Sequence, residues 1–343
     1  KWPKVTLVDM KNEIEFGNKI FSRLLKMKLK ECLENGKQAI ILLNRRGYAT
    51  SITCHNCGYK AVCPKCEIPL TYHKHGNYLE CHYCGYKTYK PAKCPNCNST
   101  DINEFGLGTE KLEEEIINNF EGVKTIRMDV DTTSRKGSHA RIINDFQNKK
   151  YNILIGTQMV AKGLDFENVT LVGVINADAS LNIPDYRSAE RTFDLLSQVS
   201  GRAGRGKLDG EVILQGFNMD HYSILAASIH DYKAFYNKEL QIRKKLDYPP
   251  YYNLCLIKTS SKDIDVLNNE NDKIISYLRT KVKDCIILGP SMASIPRINN
   301  IYYMQIIIKY KNIKTIYDSL IFISREYQKK KVKLEIDINP YHI

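Results

Sequence analysis

A parallel α/β body interrupted by a metal-binding insert, and followed by a smaller α+β domain, is the fold class that this sequence predicts. Three observations carry the expectation. Apolar runs of strand length alternate with segments of helical periodicity through much of the 343 residues. Eight of the cysteines fall in four Cys-x-x-Cys pairs inside one stretch, and a second alternation begins after Tyr248-Pro249-Pro250-Tyr251.

Near the start, Ile20, Phe21, Leu24, Leu25, Leu29, Cys32 and Leu33 recur at helical spacing, and 37–44 is a continuous apolar run between Gly36 and Gly47. Such a run reads as a strand buried on both faces, as in a parallel sheet. Beyond the cysteines, Leu112, Ile116, Ile117 and Phe120 mark a helix with Thr109 as its N-cap and Gly122 beyond its end. A strand over 123–128, a helix over 138–148, strands over 151–155 and 169–175, a helix over 188–201 and a strand over 211–215 follow. Strands joined by helices pair in parallel, with helices on both faces of the sheet. Helical stretches over 221–229 and 231–246 lead to the Pro-Pro boundary. The last segment reads strand 252–260, helix 263–282, strand 285–289, strand 301–310, helix 313–330 and strand 332–338, with Gly289-Pro290 ending one strand and Asn299-Asn300 before the next. That β-α-β-β-α-β order is the ferredoxin-like, split-βαβ arrangement. The expected domains are 1–47 with 101–247, the cysteine module 48–100, and 248–343.

Each of the pairs Cys54/Cys57, Cys63/Cys66, Cys81/Cys84 and Cys94/Cys97 can set two thiolates on one ion across a tight turn. Two such knuckles complete a tetrahedral S4 shell suited to Zn2+, so eight ligands mean two zinc ions per chain. A chain this large with no signal segment does not read as a disulfide framework. The loop from Cys66 to Cys81 has zinc-ribbon length, whereas that from Cys57 to Cys63 is short. Nested sites are therefore expected, with inner pairs Cys63/Cys66 and Cys81/Cys84 on one ion and outer pairs Cys54/Cys57 and Cys94/Cys97 on the other; interleaved pairing is the alternative. Gly58 and Gly85 ease two of the turns and Pro64 and Pro95 stiffen the others. Tyr72, Tyr78, Tyr83 and Tyr86 supply either an exposed aromatic surface, for a wedge or a protein dock, or a cover over a metal-held mini-core. His55, His73, His75 and His82 are surface residues on this reading, because the cysteines already fill both tetrahedra.

The formal net charge of +13 points to a polyanionic partner. Its basic excess lies in 1–47, 48–100 and 207–343, while 101–206 is net acidic. Two zinc ions on eight thiolates would leave the cysteine module near neutral. In the last domain Arg297, Lys309, Lys311 and Lys314 lie near Tyr302, Tyr303 and Tyr310. That mixture suits stacked bases and phosphates, or equally an aromatic core with basic edges. Cys255 and Cys285 read as buried thiols in apolar strands.

Two loops carry further chemistry. Gly156-Thr157-Gln158-Met159-Val160-Ala161-Lys162-Gly163-Leu164-Asp165-Phe166 leaves the carboxyl end of a strand, where ligands of parallel sheets bind. Gln198-Val199-Ser200-Gly201-Arg202-Ala203-Gly204-Arg205 follows a helix, and its two arginines, three apart, point one way. Guanidinium groups so placed can clamp a transferring phosphoryl group.

These loops, the cysteines, Leu43-Asn44-Arg45-Arg46-Gly47-Tyr48-Ala49, Gly106-Leu107-Gly108-Thr109-Glu110 and Met128-Asp129-Val130-Asp131-Thr132-Thr133 together resemble the primosomal replication-restart helicase family PriA, of helicase superfamily 2. The resemblance covers nearly the whole chain. It implies a second RecA-like helicase lobe with a two-zinc ribbon-like insertion and a ferredoxin-like C-terminal domain. It further implies that Thr157, Gln158 and Lys162 follow DNA, that Gly163 and Asp165 lie beside nucleotide, and that Arg202, Arg205 and Gln198 complete ATP hydrolysis with Mg2+ across a cleft. The implied activity is that of a 3′-to-5′ DNA helicase at stalled forks. The implied partners are single-stranded and forked DNA, single-strand DNA-binding protein, and primosome proteins including the replicative helicase and its loader. Val130 departs from the charged residue usual there, and Asp129 and Asp131 read as the end of a strand.

No Gly-x-x-x-x-Gly-Lys-Ser/Thr occurs, so negligible ATPase activity is expected of this chain by itself. The start without Met suggests a piece of a longer protein, and a cytoplasmic location without membrane contact is expected. A nonenzymatic zinc-binding adaptor for DNA or protein is the competing function.

Overall fold

In the computed structural model the described residues are 3–342 apart from 45–50, 55–56, 58, 74–75, 82–83, 101, 106–107, 131, 136, 162–165, 184 and 204–208. They form two compact units, one of Lys1–Tyr48 with Leu107–Leu240 and the other of Ala49–Gly106 with Gln241–Ile343. The cysteine-rich stretch thus shares its unit with the C-terminal sheet, a grouping that local periodicity does not reveal.

The first unit opens with β1 (Lys4–Asp9), α1 (Met10–Glu15), α2 (Arg23–Glu34) and β2 (Gln38–Leu43). Ser22 starts α2 as its N-cap, the Oγ accepting the Leu25 N–H at 3.2 Å. The chain then contributes β3 (Ser51–Cys54), β4 (Thr71–His73), β5 (Tyr78–Glu80), β6 (Lys87–Tyr89) and β7 (Ile102–Phe105) to the second unit. It returns with α3 (Thr109–Asn119), β8 (Thr125–Met128), α4 (Ser138–Gln147), β9 (Ile153–Gly156), β10 (Val169–Ile175), α5 (Ser188–Ser200), β11 (Glu211–Gly216), α6 (Tyr222–Ser228) and α7 (Tyr232–Lys245).

Six strands pair in parallel in the order β1-β11-β10-β2-β9-β8. Every residue of β2 is buried, as its unbroken apolar run required. Successive side chains of β2 point to opposite faces. Ile40 and Leu42 join Phe146, Phe166 and Phe193 on one side, while Ala39, Ile41 and Leu43 meet Leu25, Leu29, Leu112 and Ile116 on the other. Burial contributes roughly 1.5–3 kcal/mol for each large aliphatic side chain. The sheet is therefore held from both faces and offers its strand ends as a firm base for loops.

Two local expectations change. β1, which the alternation did not include, adds an edge strand to β11; five of its six residues are only half-buried, so its apolar signal is weak. Gly108 rather than Thr109 is the N-cap of α3, because Thr109 Oγ1 instead donates to Asp129 Oδ2 at 2.7 Å.

In the second unit β12 (Asn253–Ser261), α8 (Ile264–Lys281), β13 (Cys285–Ile298), β14 (Ile301–Tyr310), α9 (Lys314–Tyr327) and β15 (Lys333–Ile338) follow one another. The sheet order β13-β14-β12-β15, with every pair antiparallel, is the ferredoxin-like topology. Gly289-Pro290 does not end a strand. β13 continues to Ile298 through a register shift between Leu288 and Ser291, and as an edge strand it tolerates a proline that cannot donate.

Candidate metal centres and strand-edge loops

Three of the cysteine turns are built the same way. The N–H groups of Cys63, Cys81 and Cys94 reach the carbonyls of Ile68, Tyr86 and Ser99 at 2.8, 2.9 and 2.8 Å. Those of Glu67, Gly85 and Asn98 turn back to the carbonyls of Cys63, Cys81 and Cys94 at 2.8, 2.8 and 2.9 Å. The latter three have φ of +57°, +71° and +58°, so the turn demands a left-handed residue. Gly85 and, less strongly, Asn98 signal this in the sequence, whereas Glu67 does not.

The sulfurs gather into two tetrads, Cys54, Cys57, Cys94, Cys97 and Cys63, Cys66, Cys81, Cys84, with ligand atoms within 4.8 Å of one another in each. This is the nested grouping that the loop lengths predicted. Sγ separations of 3.7 Å for Cys54–Cys97 and 3.6 Å for both Cys57–Cys94 and Cys63–Cys84 exceed any disulfide bond. A tetrahedron with Zn–S bonds of roughly 2.3 Å has edges of about 3.8 Å, so the donors fit zinc. Burial pushes the Cys66 thiol up to about 12 and the Cys94 thiol up to about 11. Burial also opposes ionisation of Cys84, yet the Tyr86 N–H and the Cys66, Cys63 and Cys81 thiols bring it down to about 7. Four thiolates cannot share such a site without a cation, and a bound dication supplies the compensating charge.

The tetrads sit in a small core of Ile52, Ala61, Leu70, Leu79 and Ile102, against which Tyr59, Tyr72 and Tyr86 pack. Tyr72 and Tyr86 therefore serve as cover, and among the described residues of the module Tyr89 presents an exposed ring, 81% accessible. His73 stacks on Tyr78 with centroids 4.8 Å apart and belongs to neither tetrad. Tyr83, His55, His75, His82 and Gly58 lie outside the described residues.

In the first unit, Gly156 ends β9 where an added Cβ would stand 2.1 Å from Val160 Cγ2 and 2.8 Å from the Met128 carbonyl oxygen. That close approach lets a 3-10 turn, Gln158–Ala161, tuck beneath the sheet edge and contact α5. Thr157 and Gln158 are half-buried there, and the Thr157 N–H points to the Met128 carbonyl at 3.4 Å. Gln158 Nε2 donates to Asn44 Oδ1 at 3.3 Å. Asn44, 1% exposed, also accepts from Ser180 Oγ at 3.3 Å and donates through Nδ2 to the Ala177 carbonyl at 3.0 Å. Gln198 is exposed on the last turn of α5, and Arg202 is half-buried just beyond it, its N–H on the Val199 carbonyl at 2.9 Å. Lys162, Gly163, Asp165 and Arg205 lie outside the described residues, as does Asp131.

Residues 97–207 match the helicase conserved C-terminal domain, 63–88 the PriA DNA helicase Cys-rich region domain, and 244–341 the primosomal protein N C-terminal domain. Replication restart protein PriA of Bacillus subtilis is 47% identical over 348 residues, covering 99% of this chain and 43% of that protein. The protein of the same name from Synechocystis is 41% identical over 99% of this chain and 42% of its own length, and that from Haemophilus influenzae 39% over 97% and 46%. The chain belongs to the PriA family. It spans less than half the length of these three relatives.

Two polar groups of this PriA-family chain have roles that the sequence did not disclose. Asn44 lies within a recognised motif, but its joining of three segments needs a partner 114 residues away and another 136 away. Asp129 directly follows β8 and does more: it is buried, accepts the Thr109 hydroxyl and the Thr132 N–H at 2.9 Å, and faces Arg127 at 3.7 Å. It ties the end of β8 to the start of α3. Among the described residues no helix is long and apolar enough to cross a membrane.

Proposed function

We propose that this chain is the C-terminal portion of an ATP-dependent 3′-to-5′ DNA helicase that recognises stalled replication forks and promotes primosome assembly and replication restart. The observation that supports it best is one parallel sheet whose edge carries both the Thr157–Gln158 turn and the contacting helix that leads to Arg202, in a chain aligned with its relatives almost end to end. In this reading 1–47 with 101–247 is the second motor lobe, 48–100 its two-zinc module and 248–343 the C-terminal domain.

An upstream lobe would hold ATP and Mg2+, with Gly163 and Asp165 of this chain beside the nucleotide. Arg202 and Arg205 then offset the charge that develops on the departing phosphoryl group, and Gln198 lies at the same face. Such arginines are worth on the order of 10³–10⁵ in rate, and only to a nucleotide already seated. Thr157, Gln158 and Lys162 would grip DNA phosphates, so that movement between lobes becomes movement along a strand. Zinc holds the cysteine module rigid against single-stranded and forked DNA or against single-strand DNA-binding protein, the replicative helicase and its loader. The expected location is the cytoplasm.

The test is DNA-stimulated ATP hydrolysis by this chain alone, by its full-length protein and by that protein carrying Arg202→Ala. The chain alone should give no turnover, and the variant should bind ATP while losing at least about 10³-fold in kcat. Turnover by the isolated chain, or undiminished turnover in the variant, overturns the assignment. A full-length protein that binds forks without DNA-stimulated hydrolysis would instead be an adaptor.

A further inference from the structure

The inner metal site has a donor that no Cys-x-x-Cys turn supplies. β13 and β14 are joined by Asn299 and Asn300, with Ile298 paired to Ile301 across them. Both asparagines are left-handed, at φ +49° and +63°, as a two-residue type I′ hairpin turn requires. Such a turn directs its amides outward. The Asn300 N–H meets the Lys65 carbonyl at 2.9 Å, and the Asn299 N–H meets Cys66 Sγ at 3.2 Å. Arg297 forms an ion pair with Glu67, reaches Asn300 Oδ1 at 3.2 Å and lies over the Tyr302 ring. Ile298 packs onto the cysteine mini-core. Three successive residues of one knuckle, 65 to 67, are thus each bonded from the hairpin tip.

We propose that the Asn299–Asn300 turn is an outer-shell part of the inner site, so that metal on Cys63, Cys66, Cys81 and Cys84 latches the ferredoxin-like sheet to the cysteine module. A thiol sulfur is a weak acceptor, whereas a metal-bound thiolate is a good one. Within its own turn the knuckle gives Cys63 the Lys65 N–H at 3.4 Å. Cys66 takes its donor from a strand turn more than two hundred residues away, at a sequence separation of 233. An amide aimed at a ligand sulfur drains charge from a four-thiolate site and favours the loaded form. The coupling is reciprocal: metal strengthens the hydrogen bond that docks the hairpin, and docking slows loss of the metal. Asn299 is a positioning residue here, acting through Cys66. The inference rests on the inner tetrad holding zinc.

Two measurements on the whole chain decide it. In chain loaded with cadmium-113 and labelled with nitrogen-15, the Asn299 amide should show scalar coupling to one of the two cadmium resonances through the N–H···S bond. In the zinc-loaded chain, Asn299→Val with Asn300→Val disfavours the left-handed turn, while Asn299→Gly with Asn300→Gly retains it. A colorimetric chelator should draw one of two zinc ions about 10–100-fold faster from the valine variant and at unchanged rate from the glycine variant. A missing amide-to-cadmium correlation, with two ions bound and equal release from all three proteins, refutes the latch and leaves the metal assignment standing. Fewer than two ions in the unaltered chain refutes the metal assignment itself. If the valine variant does not fold, the cadmium spectrum of the unaltered chain decides alone.

Discussion

Replacing Asn44 by Ala removes a side chain on which three segments of the first unit converge, and the magnitude follows from what each partner loses. The Ala177 carbonyl loses its 3.0 Å donor, and Ser180 Oγ, on a residue 2% exposed, loses its 3.3 Å acceptor. Each buried group left unpaired costs about 1–2 kcal/mol, so the pair predicts about 2–4 kcal/mol. Gln158 is half-buried and can turn its amide to water, so it adds little. For a unit of this size, about 2–4 °C of melting temperature accompanies each kcal/mol, giving a shift of roughly 5–15 °C. Urea unfolding by circular dichroism, with peptide-resolved hydrogen exchange to assign the transition to the six-stranded sheet, measures it. Gln158→Ala should change stability by under about 0.5 kcal/mol, as partly exposed substitutions do. An Asn44→Ala protein within about 0.5 kcal/mol of the original would refute the accounting, because two buried polar groups cannot both be abandoned so cheaply.

Metal analysis of the purified chain should return two zinc ions; one or none contradicts the paired tetrads. Chelation should melt the module around Leu70 and Leu79 and leave the parallel sheet protected from exchange, whereas loss of protection in β2 would be the contrary result. Gly156→Ala forces a methyl against the Met128 carbonyl oxygen, which cannot rotate away, and should destabilise the first unit by about 1–3 kcal/mol; an unchanged denaturation midpoint would show the 3-10 turn to be compliant. A hydrogen bond from Lys273, with others from Tyr327 and Lys330, holds Glu270 at about 2, below its ordinary 4.5, although burial opposes them. Its contribution is complete above about pH 4.5 and is lost as the pH falls through about 2, so the second unit should lose stability there more steeply than its Glu270→Gln variant; parallel pH profiles would remove that role.

What the sequence disclosed is what short-range chemistry controls. Cys-x-x-Cys turns need only a tight backbone, and the nested grouping followed because fourteen residues and five residues close loops of different reach. The apolar run of β2 announced burial on both faces, and the order of elements after Pro250 gave the ferredoxin-like sheet. Left-handed turns were legible at Gly85, where the residue advertises the conformation, and not at Glu67, where the fold imposes it on a side chain that otherwise avoids it. Thr109 looked like a cap because an Asp 20 residues on, which draws its hydroxyl away, is invisible to local pattern.

Charge was the least legible quantity, since composition counts cations without saying where they are already engaged. Lys309 had the look of a phosphate ligand beside Tyr302, Tyr303 and Tyr310, yet it is 7% exposed, donates to the Leu246 carbonyl at 2.7 Å and lies 3.7 Å from the centre of the Tyr248 ring. Arg297 is engaged by Glu67 and Asn300, and Tyr310 is core. Of that cluster, the alternative of an aromatic core with basic edges holds for these three residues. The net charge of +13 therefore overstates the cations open to a polyanion, and any account of DNA binding must discount it residue by residue. For the DNA contact proposed above, the strand edge bearing Thr157 and Gln158 is the stronger basis, because its position follows from sheet topology and not from a sum of charges.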